Sequence, residues 1–322
     1  MRFDKYEWTA ISIMVSLFII VGFVQGWSVS LVILNMCIIS AIMTMGVNIS
    51  WGYAGVINFG VMGFLAMGGL AAVLVSYPPI KEAWHVGGSG LGISFVLLIG
   101  LVIAVYFINK LVEKKSHKYW LNGLVIFFGV IIIRYFFLNA TSKIEEVDPA
   151  LAGFLGGANL PIIFSWAVGG FFAGGVAFLI GKVALGLRSD YLAIVTLGIS
   201  EIVVSVLKHE EWLSRGVKNV IGLKRPVPYE INLQASDWFI NMVTWFNSSK
   251  LNQIIDPDQK QEMLNNLIID SSSLFVKLNY AILFFIVMIV IYYFANKAQI
   301  SPWGRMMRAI RDNEISANAM GK

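Results

Sequence analysis

The chain has 322 residues, 57% of them hydrophobic and only 13% charged, with a mean hydropathy of +0.74. An average soluble domain carries about 25% charged residues, so lipid is the expected solvent. The net charge of +5 gives no reason to invoke nucleic acid once basic residues are needed to orient membrane spans. The single cysteine, Cys37, sits within an apolar run and excludes disulfides and cysteine metal clusters.

About eight apolar runs follow along the chain: Trp8 to Gly26, Val29 to Val47, Gly52 to Tyr77, Leu91 to Asn109, Leu121 to Leu138, Pro161 to Leu185, Tyr191 to Leu207 and Tyr280 to Ala295. They are continuous rather than alternating and long enough to cross a hydrocarbon core roughly 30 Å thick. Helices follow, because a strand would leave backbone groups unpaired in lipid. The expected fold is all-α, a polytopic transmembrane bundle of about eight spans. The first run has a weak cleavage-like end at Val24, Gln25 and Gly26. Acidic residues among its leading charges, and a second span at once after it, favour a span over a signal peptide.

Basic residues in short loops stay on the cytoplasmic side. A cytoplasmic N-terminus places Arg2, Lys5, Lys110, Lys114, Lys115, Lys118, Lys182, Arg188 and Lys297 inside. The opposite loops hold Lys81 with Glu82, and Lys143 with Glu145, Glu146 and Asp148. All eight runs fit this alternation, in a bacterial inner membrane. Arg134, near the outer end of its run, is expected to snorkel.

The third run, with Gly52, Gly55, Gly60, Gly63, Gly68 and Gly69, reads in two ways. Small residues at such spacing let helices pack closely. Alternatively, a glycine-interrupted helix with Tyr53 and Asn58 exposes backbone to a central pathway. The glycines between Val86 and Gly92 lack a preceding strand and the G-x-G-x-x-G spacing, so a turn at the outer surface is expected there. In the seventh run, Asp190, Tyr191 and Thr196 lead to Glu201, about 16 Å along a helix from Asp190 and near the bilayer middle. Glu201 reads either as a polar group on a solute route or as a structural hydrogen bond between helices.

Residues 208–278 carry charges of both signs and form an outer insertion. Trp238, Phe239, Met242, Trp245 and Phe246 recur there at helical spacing, as in a helix lying on a membrane surface. After the last run, residues 298–322 include Ser301 as an N-cap and Pro302 at the first helical position. Arg305, Arg308 and Arg311 recur every three residues opposite Trp303, Met306, Met307 and Ile310. Such a basic amphipathic helix suits anionic membrane lipid or a partner's groove.

No phosphate-binding G-x-x-x-x-G-K-[ST] loop is present, so any ATP must be used by a partner. His85, His117 and His209 are expected in loops and have no metal-ligand spacing. Neither a catalytic residue, nor a cofactor, nor a metal is expected in this chain.

Three stretches, GYAGVINFG, LRSDYLAIVTLGISEIV and GRMMRAIRDNEISANAMG, in this order, resemble the branched-chain amino acid ABC transporter permeases. The likeness is greatest to the longer, M-type member of the two paired permease subunits. The resemblance implies one permease domain over 1–322 that imports leucine, isoleucine or valine. It also implies a second permease subunit, two ABC ATPase subunits and a periplasmic solute-binding protein. It turns 298–322 into a cytoplasmic coupling segment, with Gly304, Arg305, Arg308, Ala309, Ile310, Arg311, Ala317 and Gly321 as the ATPase-coupling surface. Gly52, Tyr53, Gly55, Asn58, Asp190, Tyr191, Thr196 and Glu201 become translocation-pathway candidates. Relatives of this family usually continue with further spans after the coupling loop, so the chain reads as C-terminally incomplete. The insertion at 208–278 is longer than the family leads one to expect, and Ser189 stands where glycine is common. Urea or short-amide permeation, or secondary transport through Glu201, are the competing functions.

Overall fold

The computed structural model describes residues 5–112, 115–150, 153–184 and 189–319. Among them every regular element is helical. In chain order these are α1 (Lys5–Val24), α2 (Trp27–Asn48), a π-helical turn (Ile49–Tyr53), α3 (Val61–Ser76), α4 (Lys81–Leu111), α5 (Lys115–Glu145), α6 (Ile162–Ala184) and α7 (Ser189–His209). The short helices α8 (Glu211–Ser214), α9 (Glu230–Gln234), α10 (Asp237–Phe246) and α11 (Ser248–Leu251) come next. The series closes with α12 (Pro257–Ile300), α13 (Pro302–Asp312) and α14 (Glu314–Ala319).

Among the described residues six helical stretches are long and apolar enough to cross a membrane: Trp27–Tyr53, Lys81–Leu111, His117–Glu145, Ile162–Lys182, Tyr191–His209 and Pro257–Ile300. Two shorter apolar helices, Trp8–Val24 and Val61–Ser76, complete the eight runs expected from hydropathy. Helix α12 has 44 residues, or about 66 Å at 1.5 Å per residue, so it projects well beyond a hydrocarbon core of about 30 Å.

Two readings of the sequence need correction. The Val86 to Gly92 glycines form no turn; they lie inside α4. A Cβ on Gly87 would sit 2.6 Å from Ile144 Cδ1 and 2.8 Å from the Ala140 carbonyl oxygen, and one on Gly90 would sit 2.8 Å from Ala140 Cβ. Gly87 and Gly90 let α5 approach, which is the packing use of small residues in membranes. The three histidines also lie in helices: His85 in α4, His117 in α5 and His209 at the end of α7. Hydropathy marks only the lipid-embedded part of a helix, whereas the hydrogen-bonded ladder continues into the polar interface on either side.

The chain divides into two compact units. The first comprises residues 1–58 and 225–322. In it α12 packs on α2, and Lys277 joins the pair by donating from Nζ to Ser28 Oγ while its carbonyl accepts from Asn35 Nδ2 at 3.1 Å. Around the projecting half of α12 a small core forms from Val227, Leu233, Phe239, Val243, Ile268 and Val276. Helix α10 therefore buries Phe239 and Val243 against α12, while Trp245 and Phe246 stay exposed. A helix is present where the aromatic spacing predicts one; of its apolar residues Phe239 turns to α12 and Trp238, Trp245 and Phe246 are exposed.

The second unit comprises residues 59–224. Helix α3, with only 16 residues, is sandwiched by α6 and α7. Its last turn lacks onward helical donors. The passing segment supplies them: the amides of Ala158, Leu160 and Asn159 donate to the carbonyls of Leu74, Val75 and Tyr77 at 2.9, 2.9 and 3.0 Å.

Candidate functional site

The sequence interrupts its third apolar run at the glycines, and so does the structure. After the π-helical turn, residues 55–59 are non-helical until α3 starts. Gly55 has φ +71°, a left-handed conformation that costs glycine little and other residues more. The Gly55 amide donates to Trp51 O at 3.1 Å and the Val56 amide to Ser50 O at 3.0 Å, closing the turn on itself. Backbone left open at membrane depth must find partners in protein or face a water-lined cavity.

On the first-unit side of this break, Gly52 and Gly55 meet Arg311. The Arg311 Nη1 donates to the Gly52 carbonyl at 2.7 Å. Tyr53 and Asn58 are half-buried. An open cleft of about 630 Å³ lies beside α2 and the π turn, lined by Ala41, Thr44, Asn48, Trp51 and Gly52 among others.

On the second-unit side, α7 supplies the caps for α3. Thr196 Oγ1 accepts from the Phe59 amide at 3.1 Å, and Ser200 Oγ accepts from the Gly63 amide at 2.7 Å. The Phe59 amide lies just before the helix, and the Gly63 amide in its first turn is shared between Ser200 and the Gly60 carbonyl at 3.1 Å, so α7 ties the entry of α3 across a helix interface. Gly63 is required for the fit: a Cβ there would lie 3.1 Å from both Ser200 Cα and Oγ. The inward face of α7 is thus Leu192, Ala193, Thr196 and Ser200, all buried. Glu201 and Tyr191 point the other way and are exposed. Asp190 lies in the first turn of α7.

Thr196 was named from its motif, whereas Ser200 was passed over. Its signal was its place four residues on, the i to i+4 spacing that puts two hydroxyls on one face.

The helix after the last span follows from local chemistry. Ser301 Oγ accepts from the Gly304 amide at 3.4 Å, with Pro302 at the first position. Gly304 is buried and a Cβ on it would run into the Gln299 carbonyl, so only glycine allows α13 to fold so tightly back from α12. Two arginines seal the elbow. Arg305 Nη1 donates to Ile300 O at 3.0 Å, and Arg308 donates from Nε to Gly304 O and from Nη2 to Gln299 O, both at 3.3 Å. Cationic donors on the last carbonyls of a helix are favoured by its dipole. Ala309 is exposed, Ile310 half-buried and Ala317 buried; Gly321 lies outside the described residues.

Many apolar helices, one apolar run broken at glycines and a short basic helix folded back from the longest span define a polytopic all-α membrane protein. The sequence model of the family described as the permease component of the branched-chain amino acid transport system matches residues 29–322. The chain belongs to that family. No curated protein and no solved structure matches it.

Proposed function

We propose that the chain is the M-type permease subunit of an ATP-driven importer of leucine, isoleucine and valine. The observation that carries this reading is the family assignment over residues 29–322. The chain forms a single permease domain, with 208–278 as an insertion outside the cell membrane and 298–322 as the cytoplasmic coupling segment. It sits in the inner (plasma) membrane with its N-terminus in the cytoplasm, as the alternation of basic residues supports.

Its partners are a second permease subunit, two ATPase subunits that hold all the ATP, and a periplasmic solute-binding protein. No cofactor or metal enters in this chain. The binding protein delivers solute outside. ATP binding then drives α13, and the helices around the break alternate between outward and inward access. Coupling is reciprocal, so delivered solute also raises ATP hydrolysis. Gly52, Tyr53, Gly55, Asn58, Tyr191 and Glu201 are the pathway groups in this reading, with Asp190 at its inner end. Thr196 acts by holding α3 in place.

The test is uptake by proteoliposomes holding the complete assembly and its binding protein. ATP-dependent accumulation of labelled leucine is expected. Accumulation of urea without leucine would remove the amino-acid assignment and leave the permease, whereas uptake that persists with an inactivated ATPase would point to secondary transport.

A further inference from the structure

The three arginines of α13 were read from the sequence as one basic stripe, yet their side chains do two different things. Arg305 and Arg308 stay within the elbow, on carbonyls of residues 299, 300 and 304. Arg311 leaves it and reaches the π turn, where its Nη1 holds the Gly52 carbonyl at 2.7 Å. The guanidinium is aimed by its neighbour: Asp312 Oδ1 accepts from Nε at 3.0 Å and from Nη2 at 2.9 Å. A fork held on two nitrogens leaves the third donor with a fixed direction.

The target is equally specific. Gly52 lies in the last turn before the break, where carbonyls have no onward helical amide. The alkyl part of Arg311 lies over Gly55, where a Cβ would come 2.5 Å from Arg311 Cγ and 3.2 Å from its Cβ. Gly55 is thus constrained twice, by φ +71° and by the side chain laid across it. A tight elbow, a fixed guanidinium and a carbonyl at the edge of an interrupted helix form one mechanical chain.

We propose that Arg311 is a positioning residue that ties α13 to the interrupted segment 49–60, so that displacement of α13 is transmitted to the break through the Arg311 to Gly52 bond. Arg311 acts inward on its own chain, while the exposed surface of α13 is left for the ATPase. The proposal rests on the reading of α13 as the coupling helix, and its test separates the two.

Amide hydrogen exchange is followed by mass spectrometry on the whole chain, alone and in its purified assembly. Arg311→Gln is expected to speed exchange in residues 49–60 roughly tenfold, as for loss of one bond from a charged donor. Arg305→Gln is expected to leave that segment unchanged. Arg311→Lys, which keeps one cationic donor, restores part of the protection. In proteoliposomes Arg311→Gln lowers leucine moved per ATP hydrolysed several-fold while the ATPase still co-purifies, a ratio that simple loss of stability would not change. Unchanged exchange in 49–60, or an Arg311→Gln chain that loses its ATPase with the segment still protected, overturns the proposal. If the unmodified chain binds no ATPase, the coupling reading fails, and the exchange result still decides whether Arg311 holds the break.

Discussion

Two glycine-rich stretches of this chain behave in opposite ways. In α4, Gly87 and Gly90 leave a 31-residue helix unbroken and bring α5 against it. Between Tyr53 and Val61 the glycines accompany a loss of helix. Composition does not distinguish the two; the partners do. Facing Gly87 and Gly90 are Ala140 and Ile144, which offer only surface to pack on. Within residues 1–58 and 225–322 the Gly52 carbonyl before the break accepts from Arg311, and within residues 59–224 the Phe59 amide after it donates to Thr196, so the opened backbone finds side-chain partners in each unit. In lipid a helix can open only where such groups replace its own hydrogen bonds.

That contrast can be broken by substitution. The largest effect is expected from Gly87→Val, which forces a Cβ against Ile144 and the Ala140 carbonyl. It should cost about 3 kcal/mol of stability by overpacking and lower the thermal midpoint of the detergent-solubilised protein without altering exchange at 49–60. Ser200→Ala removes the shorter of two acceptors of the Gly63 amide, at 2.7 Å, leaving the Gly60 carbonyl at 3.1 Å, and should cost about 1.5 kcal/mol, seen as faster exchange at Gly63 and its neighbours. Thr196→Val keeps the shape and removes the hydroxyl, with an expected cost of about 1 kcal/mol and faster exchange at Phe59. Glu201→Gln should change stability least, by under about 0.5 kcal/mol for an exposed position. Under the proposed function it should nonetheless slow leucine uptake about tenfold. Equal uptake by Glu201→Gln and the unmodified assembly would remove Glu201 from the pathway.

The fold was largely legible because hydropathy reports lipid depth directly, and each of the eight apolar runs contains a helix, the third with a break at 54–60. Helix ends were not legible: α4 begins at Lys81, where the sequence reading placed a loop, because polar residues at an interface do not stop a helix. Ser301 and Pro302 could be read from capping chemistry, and both occupy the places that chemistry assigns them. The division of labour among Arg305, Arg308 and Arg311 could not, since regular spacing fixes a common face but not which carbonyl each guanidinium finds. Ser200 is harder to read for a similar reason: its spacing from Thr196 puts two hydroxyls on one face, but its partner, Gly63, is distant in sequence.

The sealing of α3 carries a consequence for how the chain is made. Sixteen residues give about 24 Å of helix, less than the hydrocarbon thickness. Its last carbonyls are satisfied by amides at 158–160, while hydroxyls at 196 and 200 take the Phe59 amide just before it and the Gly63 amide in its first turn. Neither end of α3 can be finished when it leaves the ribosome. A chain halted after α5 would lack the amides at 158–160 and the hydroxyls at 196 and 200, so α3 gains its full set of partners only once α7 has been synthesised, well behind its place in the order of translation.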